Sequence, residues 1–246
     1  MPKQIRELER DWRSHAILLH GRNSVANADV YLVEVDGEVV LAKTYAGNPV
    51  WSRWLFGRIA LAREFRALDT LRELGGVPHA YGLVNGDTLL TEYVAEGTTL
   101  TSHEDSPRDA WPPLDFFHRL RELVDTMHRQ GIAHGDMRRR NIMRAKGEIP
   151  YLIDFTTAVQ RRKRNPLSCL LFRALWRADD FAVIKLQASF YPDSLSAEDR
   201  QRMLDRPWYL RVGQFIRKRV YRKWIKQSHW QERAKTCREA VAKLRN

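Results

Sequence analysis

Alternating apolar and polar residues from Asp29 to Val35, the pair Asp36-Gly37, and a second such run from Glu38 to Thr44 constrain this chain more than any other stretch. Asp-Gly supplies the positive φ angles of a two-residue turn, so the two runs are expected to pair as an antiparallel β-hairpin. Ile17 to Leu19 reads as a strand before the hairpin, with the small polar loop 21–27 between them. From Ile59 to Leu74 the apolar residues Ile59, Ala62, Phe65, Leu68 and Leu71 or Leu74 recur at three or four, which predicts an amphipathic helix ended by Gly75-Gly76. Thr88 to Val94 reads as a strand, and Glu96-Gly97 as a turn joining two lobes.

Leu114 to Arg129 predicts a second amphipathic helix, with Phe117, Leu120, Leu123, Val124 and Met127 on one face and Gly131 closing it. Short strands follow around Asn141 to Arg144 and Tyr151 to Phe155, then a basic loop, then helices from about Asp179 onward. A strand-rich first third with one helix and a mainly helical remainder predict an α+β chain. Its expected parts are a first lobe at 1–95, a second at 96–205 and a basic amphipathic helical extension at 206–246.

The chain has 246 residues, enough to bury a sizeable core. Hydrophobic residues at 43% and charged residues at 29% exclude wholesale disorder. Lys and Arg number 42 against 30 Asp and Glu, and the excess of 12 sits in two acid-free stretches. Residues 155–177 hold Arg161, Arg162, Lys163, Arg164, Arg173 and Arg177; residues 206–231 hold Arg206, Arg211, Arg217, Lys218, Arg219, Arg222, Lys223 and Lys226. These two segments are where an anionic partner is expected. Cys169 and Cys237 are the only cysteines and lie far from metal-ligand spacing, which argues against a disulfide framework or a zinc site. Met1 to Asp11 lacks an apolar signal core and no run approaches the roughly 20 apolar residues of a membrane span, so a cytoplasmic location is expected.

Chemistry concentrates in one constellation. His134-Gly135-Asp136 follows the end of a helix, Asn141 stands five positions after Asp136, and Asp154 ends the apolar run Tyr151-Leu152-Ile153. Phosphoryl transfer needs a carboxylate to hold the acceptor hydroxyl in line, and oxygen ligands to hold a divalent metal against a triphosphate. Asp136 suits the first role, and Asn141 with Asp154 the second. Taken singly, Asp136 could cap a turn, Asn141 could start a strand and Asp154 could face solvent. Yet a carboxylate against an apolar strand end is costly unless compensated, and a metal ion would compensate it.

These residues resemble the protein-kinase-like superfamily, whose catalytic loop carries His-x-Asp, an Asn five residues later and an Asp on a following strand. The resemblance implies a two-lobed α+β fold with an antiparallel sheet and one helix in the first lobe. It implies ATP and Mg2+ as cofactors, a catalytic role for His134, Asp136 and Asn141, and metal binding by Asn141 and Asp154. Lys43, flanked by Leu41 and Ala42, matches the lysine that contacts phosphate, and Glu64 matches the helix carboxylate that orients it. Standing alone, Lys43 would equally be a solvated strand cation and Glu64 a surface charge. Gly21, Asn23 and Ser24 stand where a glycine-rich phosphate loop belongs, in reduced form, and Glu92 and Val94 are placed on the nucleotide by the same resemblance. Asp179 or Asp180 is similar to the aspartate that binds the catalytic-loop backbone, although a helix N-cap explains either as well.

Thr156 stands where the superfamily has glycine, no Ala-Pro-Glu segment follows, and about two dozen residues separate Asp154 from Asp180. These departures speak against a regulated eukaryotic-type protein kinase. Tyr45-Ala46-Gly47 before Trp51 and Trp54, and Gly76-Val77-Pro78 after the Glu64 helix, resemble lipopolysaccharide core kinases acting on Kdo or heptose. That resemblance implies phosphorylation of a sugar hydroxyl on a lipopolysaccharide precursor, at the inner face of the inner membrane. A small atypical Ser/Thr protein kinase and a pseudokinase or membrane scaffold are the alternatives.

Trp208, Val212, Phe215 or Ile216, Val220 and Trp224 recur at helical spacing among cations, so 206–226 suits an anionic membrane surface as well as it suits packing on the second lobe. Trp51, Trp54, Leu55 and Phe56, beside Arg53 and Arg58, form a second candidate membrane or substrate contact. Nucleic acid ranks below both as a partner, because no binding module is recognised.

Overall fold

The computed structural model describes residues 12, 16–21, 27–35, 38–100 and 106–204. They form two compact units. Among the described residues, one holds those up to Phe65 together with Ala80–Tyr93, and the other holds Arg66–His79 and those from Val94 to Leu204.

The first unit is built on a five-stranded antiparallel sheet of β1 (Ile17–His20), β2 (Asp29–Val35), β3 (Glu38–Thr44), β4 (Ala80–Val84) and β5 (Thr88–Glu92), in the order β1-β2-β3-β5-β4. β2 and β3 pair from Asp29 with Thr44 to Val35 with Glu38, leaving two positions between the strands as the Asp-Gly reading requires. Alternation along β3 buries Val40, Ala42 and Thr44. Val33, Val40, Ala42, Val84 and Leu90 make one apolar cluster, while Ala28, Tyr45, Leu61 and Leu89 make another. Lys43 sits directly opposite Leu89 across the β3–β5 ladder.

After β3 a helical stretch begins as α1 (Val50–Ser52), passes through a π-helical turn at Arg53–Gly57 and continues as α2 (Arg58–Thr70). The buried stripe of α2 differs from the predicted one. Leu61, Glu64, Ala67 and Leu68 face inward, as does Leu71 in the turn just after the helix, while Ile59 is 53% exposed. The reason lies in Glu64: its carboxylate turns toward Lys43, which rotates Ile59 outward and Leu61 into the cluster with Tyr45 and Leu89.

The second unit holds α3 (Leu114–Arg129), α4 (Pro166–Phe190) and α5 (Ala197–Leu204). With them go a three-stranded sheet of β6 (Thr98–Thr99), β8 (Ile142–Ala145) and β9 (Ile149–Leu152) in the order β6-β8-β9, and the pair β7 (Ile132–Ala133) with β10 (Val159–Gln160). α3 has the predicted bounds and buries the predicted face, and Gly131 closes it at φ +80°. Residues 66–79 belong to this unit, although the sequence assigns them to the first 95 residues. The Gln160 amide donates to Thr70 Oγ1 at 3.1 Å and the Leu152 N–H to the Gly76 carbonyl at 2.8 Å.

α4 starts thirteen positions ahead of the predicted helix at Asp179. Asn165 caps it by accepting the Ser168 N–H at 3.1 Å, and Pro166 fills the first helical position, where its missing N–H costs nothing. Asp179 and Asp180 therefore lie in the helix interior, and neither is an N-cap.

Candidate active site

In the first unit β3 presents Lys43, and its ammonium lies 2.8 Å from the Glu64 carboxylate on α2. Both side chains are largely buried, at 16% and 6% exposure, so Glu64 is no surface charge. Two desolvated charges held at this distance form an oriented pair. Glu92 ends β5, and its carboxylate together with that of Glu38 helps burial push the Tyr81 phenol above its usual value. Gly21 follows β1, while Asn23 and Ser24 lie outside the described residues, as do 206–226.

The second unit carries the loop from His134 to Asn141. Asp179 on α4 accepts the His134 backbone N–H at 2.7 Å and the Gly135 N–H at 2.9 Å, and its Oδ2 also takes His128 Nε2 at 3.3 Å. Asp179 is 1% exposed, whereas Asp180 pairs with Arg202 on α5 at 3.1 Å. The choice between the adjacent aspartates thus falls on Asp179. Gly135 has φ +76°, and a Cβ there would stand 2.9 Å from Leu175 Cδ1 and 3.2 Å from the Thr157 carbonyl, so the middle residue of His-Gly-Asp has to be glycine.

His134 is fully buried and both ring nitrogens are engaged. The Asp136 N–H donates to Nδ1 at 3.2 Å, so Nε2 carries the proton and donates to the Ile153 carbonyl at 3.0 Å. The ring also packs on Phe155 with centroids 4.7 Å apart. The resemblance implies a catalytic role for His134; its burial and its bonds make it a positioning residue that ties the loop to Ile153, the residue before Asp154.

Asp136 takes the Asn141 amide on its carbonyl at 2.9 Å and on Oδ2 at 3.1 Å, and the Arg138 guanidinium pairs with the same oxygen. Arg138 escaped the sequence reading because it stands in the run Arg138-Arg139-Arg140, where nothing marks one cation from the next. Asn141 is 3% exposed and its side-chain amide donates to both the carbonyl and the carboxylate of Asp136. β8 and β9 pair Ile142 with Leu152, and the Ile153 N–H donates to the Asn141 carbonyl at 3.0 Å. Asp154 follows at once.

Asp154 holds the left-handed backbone conformation, φ +65° and ψ +69°, which costs a non-glycine residue roughly 1–3 kcal/mol. Thr156, the residue that departs from the superfamily pattern, donates its hydroxyl to Asp154 Oδ1 at 2.5 Å. Among the described residues no three His, Cys, Asp or Glu side chains gather at one point. An amide oxygen and a carboxylate nevertheless fit Mg2+, which takes few protein ligands and completes its shell with phosphate oxygens and water.

A strand-borne Lys paired with a helix Glu, an anchored His-Gly-Asp loop, an Asn just before β8 and an Asp just after β9 define a protein-kinase-like domain. This is a two-lobed α+β phosphotransferase class that uses ATP and Mg2+ and has an alcohol group as acceptor. Residues 51–174 match the RIO domain, and the chain belongs to that family. It is similar to the serine/threonine-protein kinase PknH of Mycobacterium bovis, 32% identical over 104 residues that make up 41% of this chain and 17% of the relative. PknH of Mycobacterium tuberculosis matches equally, and serine/threonine-protein kinase PknD of Mycobacterium tuberculosis is 25% identical over 122 residues, 48% of this chain and 18% of the relative. The chain spans less than a fifth of the length of these relatives. The comparisons show the superfamily; the expected closeness to lipopolysaccharide core kinases is not among what they show.

Proposed function

We propose that this protein is an ATP-dependent kinase that phosphorylates serine or threonine hydroxyls of a protein substrate. The observation that carries the reading is the Asp136 carboxylate, fixed by Asn141 and Arg138 on a loop anchored at two backbone N–H groups by Asp179. In this reading Asp136 orients the acceptor hydroxyl and receives its proton. Asn141 and Asp154 would hold Mg2+, which when bound supplies charge neutralisation at the phosphate oxygens. Lys43, positioned by Glu64, binds the nucleotide phosphates; Gly21, Asn23, Ser24, Glu92 and Val94 complete the nucleotide contacts. The protein-kinase relatives support a protein acceptor over the sugar acceptor that the sequence reading put first.

A glycolipid acceptor at the inner face of the inner membrane, approached through 206–226, is the second reading. It is favoured by the outward-facing Trp51, Trp54, Leu55 and Phe56, each at least 45% exposed, with the Arg58 guanidinium 4.0 Å over the Trp54 ring. The short path from Asp154 to the start of α4 at Pro166 also leaves little chain to dock a peptide. Purified protein with radiolabelled ATP and Mg2+ decides between them. Label on serine or threonine of protein, with none on a lipopolysaccharide precursor, is the expected result, and the reverse overturns it. Nucleotide binding without transfer to either would mark a pseudokinase.

A further inference from the structure

The core-facing side of α4 is accounted for by Phe172, Asp179, Val183 and Leu186, all buried. Its first turns carry a second apolar face that stays exposed among the described residues. Leu167, Leu170 and Leu171 recur at i, i+3 and i+4 and are 62%, 66% and 45% exposed. Arg173 and Arg177 follow Leu170 along the same side of the helix, and Arg161, Arg162, Lys163 and Arg164 precede the helix start. Residues 155–177 contain no acid, and among the described residues none of these six cations pairs with a carboxylate. Three uncovered leucines and six unneutralised cations in one continuous stretch are the composition of an interfacial helix.

We propose that the N-terminal half of α4 docks on an anionic phospholipid bilayer, with Leu167, Leu170 and Leu171 entering the headgroup boundary. The guanidinium groups of Arg173 and Arg177 meet lipid phosphates there, and the basic loop 161–164 lies along the surface. The proposal stands whichever acceptor the kinase uses. A second copy of the chain is a poor occupant, because pairing these faces would press one acid-free cationic surface on another. Nucleic acid would engage the cations while leaving the leucines in water, and the exposed ring of this half of the helix, Trp176, at 41% exposure, packs edge-on against His128 with centroids 6.2 Å apart instead of lying free for a base to stack on. Only lipid satisfies both halves of the face.

The test uses the full chain with Cys169→Ser and Cys237→Ser, carrying a polarity-sensitive bimane label at Leu170→Cys, and as control at Glu73→Cys, whose native side chain is 88% exposed. Vesicles of phosphatidylcholine alone are compared with vesicles containing one third phosphatidylglycerol. The expected result is a blue shift and protection from iodide at position 170 with the anionic vesicles only, and no change at 73. Leu167→Asp with Leu170→Asp is expected to weaken partitioning by roughly tenfold or more with an unchanged melting curve. The proposal fails if the protein sediments with anionic vesicles while the 170 label stays aqueous, which would assign attachment to another segment such as 206–226. It fails equally if wild type does not bind these vesicles at low ionic strength. Protection that grows with protein concentration or with added RNA, in the absence of vesicles, would replace lipid by a second copy or by nucleic acid.

Discussion

Asp136 and Asp179 are both carboxylates of one unit, yet their surroundings give them different work. Asp179 is sealed from water and accepts two backbone N–H groups, so it acts as a structural hub. Replacing it by Ala strands both donors in the interior at about 1–3 kcal/mol each. Asp179→Ala is therefore expected to lower the melting temperature by several degrees and to remove transfer with it, as differential scanning calorimetry and a kinase assay would record. An unchanged melting curve would show that the loop finds other acceptors. Asp136 is held on one oxygen by Asn141 and Arg138 at a half-buried site, and less of the fold depends on it. Asp136→Ala is expected to cut transfer by roughly 10²–10⁴-fold, the range for loss of a positioned base, while the melting temperature stays within a few degrees of wild type. Full turnover by that variant would remove Asp136 from the chemistry.

Element by element, the junction of α4 with α5 carries a testable electrostatic imbalance. Burial pushes the Asp180 carboxyl above the usual Asp value, with Asp125 and Asp199 adding to the rise, although Arg202 and Arg121 pull it down. On the other side of the pair, desolvation works against the Arg202 charge, but Asp180, Glu198 and Asp199 outweigh it and raise the guanidinium pKa. A carboxyl whose folded pKa is raised binds its proton more tightly when folded. Its stabilisation is thus complete below the ordinary Asp value of about 3.9 and is lost as pH rises through the folded value. Asp180→Asn mimics the protonated form, so it is expected to melt with wild type at pH 3 and at or above wild type at pH 7. A wild type that gains on the variant as pH rises would show that the Arg202 pair outweighs burial. The same helix shows where sequence reading stops. Strong periodicity made α3 legible to the residue, and turn chemistry made the β2–β3 register legible, because both signals are local. α4 was read from its apolar second half alone, since its first half exposes its leucines and shows no solvent-facing polar pattern. Asp179 and Asp180 are neighbours of identical chemistry, and only the helix rotation about them separates a hub from a surface ion pair. Glu64 was legible through its order relative to Lys43, while Arg138 and the Thr156 hydroxyl act through bonds that no spacing rule encodes.

At the scale of the whole molecule, the metal assignment becomes a statement about the folding equilibrium. A ligand that binds only the folded chain adds about 2.7 kcal/mol at a hundredfold excess over Kd, and each kcal/mol moves the midpoint of a chain this size by about 2–4 °C. ATP with Mg2+ is therefore expected to raise the melting temperature by roughly 5–10 °C, and ATP with chelator by less, because Asn141 and Asp154 would contribute only through the metal. Asp154→Asn separates the two effects. Asn tolerates the left-handed backbone at this position and can still accept the Thr156 hydroxyl, so the unliganded melting temperature should hold. What the amide lacks is the negative charge that binds a hard divalent cation. The variant is expected to keep the chelator-resistant part of the ATP shift and to lose the Mg2+-dependent part, read in one series of thermal melts. If Asp154→Asn keeps the full Mg2+ increment, the ion binds elsewhere, and the left-handed turn after β9 has a different purpose.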